Sequence, residues 1–258
     1  MGSRRPVSRH ALRRSRPPSP PRPKRDWAYF FDLDGTLIEF APTPAAVRVN
    51  GGLRELLREL HGTTGGAVAL LTGRPIAEVD RLFRRVRLPV AGQHGVERRD
   101  AAGRVSRHRF PAARLDRVRR QLLGRMNGKR GLLLEDKGLS IALHYRRAPR
   151  LAGFAHRLAR SMLPALGRRF CVQRGKYVVE LRPSGRDKGK GVLEFLRERP
   201  FRGRLPVFVG DDATDEAGFA TVNRLGGISI KVGPGRTAAC WRLRNVRTVE
   251  QWLRSISD

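Results

Sequence analysis

Phe30-Phe31-Asp32-Leu33-Asp34-Gly35-Thr36-Leu37 is the stretch on which the reading of the fold turns. The run from Ala28 to Leu33 is apolar enough for a strand buried on both faces, and it ends in two aspartates two residues apart, followed by a glycine. Side chains alternate along a strand, so carboxylates at that spacing start on one side and converge on one place before the glycine turns the chain away. Like charges that close repel and raise one pKa unless a cation neutralises them, which gives the pair a reason to hold a metal. The carboxyl end of a strand is also where an open α/β sheet binds its ligands.

Working outward, apolar strand-like runs alternate with helical patterns, the signature of an α/β fold with a mostly parallel sheet. A helix over Leu53 to His61 leads to a second strand, Ala67 to Leu71, which ends at Thr72-Gly73-Arg74-Pro75. Next come a helix from about Ile76 to Arg85, with proline where a first turn tolerates it, and a short strand Leu88 to Ala91 ending at Gly92-Gln93-His94-Gly95. From Ala102 to Pro183 the texture changes to five strands with two helical stretches between them (Val105 to Phe110, Leu132 to Glu135, Ser140 to Tyr145, Phe170 to Gln173, Val178 to Leu181), which reads as an inserted α+β module. The parallel pattern then resumes with helix Lys188 to Arg199, strand Pro206 to Val209, helix Asp215 to Asn223, strand Ile228 to Val232 and a closing helix near Val249 to Ser255. The expected organisation is a basic, proline-rich disordered tail at 1–25, a core at 26–101 and 184–258, and the insertion at 102–183.

The 258 residues carry 54 Lys+Arg against 23 Asp+Glu, a net charge of +31. Only seven of the basic residues are lysine, a skew toward arginine that coding bias can produce without a polyanionic partner, so charge alone does not assign nucleic-acid binding. The tail has no aromatic residue for base stacking, which makes nucleic acid the weaker reading. By region the excess is +9 in the tail, +17 in the insertion and +5 in the core. A basic insertion next to the site suggests steering of an anionic substrate. No apolar run approaches the roughly 20 residues of a membrane span. Cys171 and Cys240 stand far apart with no second ligand motif beside them and read as small buried hydrophobes in a reducing, cytoplasmic setting. Trp27, Trp241 and Trp252 read as packing.

Three further islands sit at later strand ends. Thr72 offers a hydroxyl and an N–H at a helix start, suited equally to an N-cap or a phosphate contact. Lys188 opens a helix, where the macrodipole disfavours a cation unless an anion is near. Gly210-Asp211-Asp212 adds carboxylates for a hard cation such as Mg²⁺. Asp215 and Glu216, at the next helix start, are at least as well explained as first-turn acids.

The order of Asp32 to Thr36, Thr72, Lys188 and Gly210 to Asp212 resembles the haloacid-dehalogenase phosphatase superfamily. Thr72 to Pro75, Gly92 to Glu97, Lys137-Gly138 with Ala142 to Arg146, Val179 to Pro183, and Gly210 to Glu216 through Phe219 are similar to the trehalose-6-phosphate phosphatases, over about Trp27 to Trp252. The resemblance implies a Rossmann-like core with a parallel sheet and a cap formed by the inserted module. It implies Asp32 as nucleophile, Asp34 as general acid and then base, and Thr72 and Lys188 on the phosphoryl group. Mg²⁺ would be held by Asp32, Asp34 through its backbone carbonyl, and Asp211, with Asp212 orienting Lys188 or a metal-bound water. Lys137 and Glu180 are the leading sugar contacts from the cap, then His144, Arg146 and Arg182, with Arg74, His94 and Glu97 facing the same mouth from the core. His144 is as readily a structural histidine. The implied substrate is trehalose 6-phosphate, supplied by an upstream trehalose-6-phosphate synthase, with sucrose 6-phosphate or another sugar phosphate as the alternative.

Overall fold

The computed structural model describes residues 19–84, 86–108 and 112–256. Two sheets organise them. The larger runs β12 (Trp241–Leu243), β11 (Ile228–Val232), β10 (Pro206–Gly210), β1 (Ala28–Phe31), β2 (Val68–Leu71), β3 (Val90–Gly92), β4 (Glu97–Arg99), β5 (Val105–Arg107). It is parallel from β12 to β3, and β4 and β5 are added antiparallel. Both faces of β1 are buried, so the alternation splits it: Tyr29 and Phe31 enter one apolar cluster, Ala28 and Phe30 the other.

Helices α1 (Gly51–Thr63), α2 (Ile76–Phe83) and α8 (Val246–Arg254) cover the first face, and α6 (Lys188–Phe195) and α7 (Glu216–Arg224) the second. In α1, Leu53, Leu56, Leu57 and Leu60 repeat at helical spacing and are all buried, each such side chain contributing about 2 kcal/mol relative to exposure. Asn50 starts this helix by accepting the Leu53 N–H at 2.7 Å, and such a cap contributes about 1 kcal/mol.

The smaller sheet is antiparallel, in the order β6 (Leu133–Asp136), β7 (Ile141–His144), β9 (Val178–Pro183), β8 (Phe170–Gly175). Helices α3 (Ala112–Met126), α4 (Ala152–Ser161) and the short α5 (Leu163–Leu166) lie on one face, where Leu115, Val118 and Leu158 pack on Ile141, Leu143, Val179 and Leu181. The alternate residues, Ala142, His144, Glu180 and Arg182, belong to the opposite face. The chain crosses between the sheets after β5 and again after β9, and at these crossings Arg186 contacts His108 side by side.

Several details depart from the sequence reading, among them β4, which lies where no strand was expected. The strand expected at Val105 to Phe110 within the insertion pairs with β4 in the large sheet, because β3, β4 and β5 form a continuous antiparallel meander; residues 109–111 lie outside the described residues. Of the expected tail, 1–18 lie outside them, while the end of it is anchored: Trp252 Nε1 donates to Pro21 O at 2.8 Å, Tyr29 Oη to Lys24 O at 2.6 Å and Arg204 to Arg25 O at 2.9 Å. The half-buried edge strand β12 was not anticipated, three residues being too short to show a pattern. Cys171 is half-buried and Cys240 exposed, rather than both being buried. No helix of the described residues is long and apolar enough to cross a membrane.

Candidate active site

A cavity opens between the two sheets at the carboxyl ends of β1, β2 and β10. From the core it is lined by Asp32, Asp34, Arg74, His94, Lys188 and Asp212, and by an apolar wall of Phe40, Ala41 and Val47. From the cap come Glu135, Lys137, His144, Arg146 and Glu180.

Asp32 follows β1 directly and its N–H donates to Val209 O at 3.0 Å, so the sheet itself sets its position. It is 6% exposed. Lys188 Nζ reaches Asp32 Oδ1 at 2.8 Å and Asp215 Oδ1 at 2.6 Å. The other oxygen of Asp215 accepts the Asp211 and Asp212 N–H groups at 2.8 and 2.9 Å. Asp215 thus ties the turn after β10 to the start of α6. Burial acts against the charge of Lys188, but Asp215 and Asp32 outweigh it and hold the ammonium above its ordinary pKa.

Asp32, Asp211 and Asp215 bring one carboxylate oxygen each within 4.8 Å of one another. Burial, with repulsion from Asp215 and Asp212, pushes Asp211 up to about 7; burial likewise raises Asp32, against the pull of Lys188. Asp211 Oδ1 is buried with no hydrogen-bond partner. The approach to it is kept clear by Gly35, whose φ of +90° suits glycine and whose Cβ, if present, would stand 2.3 Å from Asp211 Oδ2. Oxygen-only donors, one of them orphaned, crowded enough to repel, fit a hard divalent cation.

Asp34 is held by Arg74, whose Nε and Nη2 donate to its two oxygens at 2.7 and 2.6 Å while Nη1 reaches Glu78 at 2.6 Å. On the cap side Glu180 is saturated. Ser140 Oγ donates to it at 2.5 Å, Lys137 Nζ at 3.1 Å, and His94 Nε2 of the core stands 3.4 Å away. Burial favours the neutral carboxyl, yet Lys137, His94 and Ser140 together hold Glu180 well below the usual carboxylate range. Lys137 also donates to the core carbonyl of Gly73 at 2.9 Å. His144 pairs with Glu135 at 2.6 Å, and the Arg146 guanidinium lies 4.6 Å from the Phe40 ring centre.

Thr72, Glu97 and Arg182 lie outside the cavity lining, and Asp212 lines it while bonding to its own turn. Thr72 stands behind the lining, its Oγ1 accepting from the Arg74 N–H at 3.1 Å in the turn that precedes α2. Glu97 turns inward and accepts the Ile76 N–H at 2.6 Å; α2 begins after Pro75, which has no capping side chain, so an acceptor from β4 replaces it. Arg182 folds back onto Arg186 O at 2.6 Å and Gln173 Oε1 at 2.9 Å, securing the exit of β9. Asp212 caps the following turn through Thr214 N–H at 2.6 Å, and the hold on Lys188 expected of it is made by Asp215.

Two acids at the site went unrecognised. Asp215, 0% exposed, had a competing explanation as a first-turn acid. Glu135 lies two residues before Lys137 on the same strand face, a period-two signal that was present in the sequence.

A parallel sheet with a carboxylate cluster at its switch point and an inserted cap closing over it defines a phosphatase of the haloacid-dehalogenase superfamily. A sugar phosphatase of subclass IIB of that superfamily superposes with a TM-score of 0.58 at 17% identity, covering 88% of this chain and 98% of its own. Within the superfamily, the chain belongs to the trehalose-phosphatase family, whose sequence profile matches residues 30–246. It is 44% identical over 231 residues to the trehalose-6-phosphate phosphatase of Escherichia coli K12, covering 90% of this chain and 86% of that one. It is 45% identical over 209 residues to a probable trehalose-phosphate phosphatase of Sinorhizobium fredii, covering 81% and 78%. The C-terminal domain of the Candida albicans trehalose-6-phosphate phosphatase superposes with a TM-score of 0.79 at 23% identity, covering 89% and 91%.

Proposed function

We propose that this protein hydrolyses trehalose 6-phosphate to trehalose and phosphate, with Mg²⁺ as the cation. The observation that carries the reading is one cavity with two chemistries facing each other: Asp32 and Lys188, backed by Asp215 and Asp211, on the core side and Glu135, Lys137 and Glu180 on the cap side. Phosphate and sugar are thereby addressed from opposite walls.

In this reading Asp32 attacks phosphorus in line through a carboxylate oxygen. The phosphorus–oxygen bond to the sugar breaks, and Asp34, released from Arg74 and carrying the proton that it regains at the end of each turnover, gives that proton to the departing sugar oxygen. Asp34 then takes a proton from the water that attacks the aspartyl-phosphate, freeing phosphate and restoring Asp32. Asp32, Asp211 and Asp215, with the carbonyl of Asp34, would hold Mg²⁺, which supplies charge stabilisation for the transferring phosphoryl group. Lys188 is placed to do the same from the other side, and Arg74 holds the Asp34 carboxylate at the pocket wall until substrate enters. The sugar hydroxyls are read by charge-assisted hydrogen bonds that Lys137 donates and Glu180 accepts, so a sugar of another shape leaves buried polar groups unpaired. The two unpaired cysteines support a cytoplasmic setting, and the substrate requires a synthase that joins two glucose units with the phosphate already on one.

Phosphate release measured across trehalose 6-phosphate, sucrose 6-phosphate and glucose 6-phosphate, with and without Mg²⁺, tests this. The expected outcome is metal-dependent turnover with kcat/KM highest on trehalose 6-phosphate; a tenfold preference for another ester would reassign the substrate.

A further inference from the structure

The charge of the cap is not where the chemistry is. Its sheet carries the pocket on one face and α3, α4 and α5 on the other, and between Asp136 and Glu180 the chain has no acidic residue. Four acids lie between residues 112 and 183. Glu135 and Glu180 face the cavity, and Arg119 takes both others, Asp116 and Asp136, at 2.7 Å each. The outer helices therefore carry a strong net positive charge, with Asp116, paired to Arg119, as their one acid. Arg117, Arg120, Arg157 and Arg160 are exposed there, with no ion-pair partner among the described residues. Each pair is three residues apart on its helix, which sets the two arginines about 4.5 Å apart along the axis on one face. Arg125 Nη1 meets Ser161 Oγ at 3.5 Å, so the carboxyl ends of α3 and α4 come together and the two rows join.

Steering of substrate does not account for these arginines. They are separated from the cavity by a helix about 10 Å across and by the sheet beneath it, beyond the screening length of about 8 Å at physiological ionic strength. We infer that the outer helical face of the cap is a docking surface for the phosphodiester backbone of a nucleic acid, independent of the catalytic site. Arginine forks match phosphate oxygens in pairs. Among the described residues Leu123 is the one large hydrophobe exposed on these helices, too little apolar surface to anchor a helix in a lipid interface. Phe154, three residues before Arg157, packs against the cap core and carries Lys129 over its ring at 5.4 Å, so binding reads the backbone and is insensitive to sequence.

The test is fluorescence anisotropy of a short labelled DNA duplex, and its RNA counterpart, with the full chain across a salt series. The variants are R117Q/R120Q/R157Q/R160Q on the cap and R197Q/R236Q/R247Q/R254Q on exposed positions of the core. The cap variant should bind at least tenfold more weakly, with a log–log salt slope shallower by about 0.9 for each arginine removed. The core variant should stay within about threefold of the parent, since its charge lies off the docking face. Phosphate release on trehalose 6-phosphate should be retained by both, which confirms that they fold. Equal losses in the two variants would reduce the effect to bulk net charge and overturn the proposal. So would a parent protein that ignores the duplexes, or one that binds anionic phosphatidylglycerol vesicles but not nucleic acid.

Discussion

Asp32 and Asp215 share one lysine, yet their substitutions should have different consequences. Asp32 is buried against two other carboxylates, so Asp32→Asn removes repulsion along with the proposed nucleophile. Turnover should fall below detection while urea unfolding shows stability unchanged or raised. Asp215→Asn instead strips Lys188 of its shorter contact and removes the carboxylate that accepts two backbone N–H groups after β10. A broken buried pair costs about 3 kcal/mol, and both activity and the urea midpoint should drop. A parallel loss of stability in both variants would count against this division of labour. These residues also show where sequence reading stops. Asp32, Asp34 and Asp211 were legible because strand ends mark them, and Lys188 because a cation at a helix start calls for a nearby anion. Asp215 was not, because an acid in a first helical turn has a sufficient local explanation and only the folded turn brings it under Lys188.

At the level of elements, α6 presents Lys188 because α6 and α7 approach closely, and Gly189 permits the approach. A Cβ there would stand 2.4 Å from Thr221 Oγ1 and 2.5 Å from Ala217 O. Gly189→Ala should therefore push α6 off α7, costing about 2 kcal/mol and displacing the neighbouring lysine. A melting temperature lowered together with a reduced kcat is the expected result. Glu97 gives a contrasting case. Glu97→Ala should destabilise by about 1 to 2 kcal/mol through the lost N–H acceptor of α2, leaving the selectivity among sugar phosphates that a pocket residue would alter; a kinetic panel beside a denaturation curve checks it. Parallel strands and amphipathic helices were legible from periodicity, since each reports its own burial. β5 was misassigned because an antiparallel edge strand looks the same in sequence whichever sheet receives it.

For the whole molecule, the carboxylate cluster holds more negative charge than Lys188 alone balances, so a divalent cation should stabilise the folded state. Adding Mg²⁺ to chelator-treated protein should raise the melting temperature by several degrees, since a ligand of the native state at about 100 times its Kd contributes about 2.7 kcal/mol. An unchanged melting curve would argue that the three carboxylates hold no cation in the resting protein. Lys137 joins cap to core through Gly73 O, and His94 meets Glu180 across the same boundary. The closed arrangement is thus held by groups that also line the cavity, so an entering sugar competes with the contacts that shut the cap.

The two chain crossings, with Arg186 against His108, bear on how such a molecule is built. Their adjacency makes a single seam: the cap is a detour that leaves the core and returns beside its point of departure. Bridging that seam with a short turn would excise the cap without re-routing the large sheet, leaving the phosphoryl-transfer half as a unit onto which a cap of different specificity can be grafted.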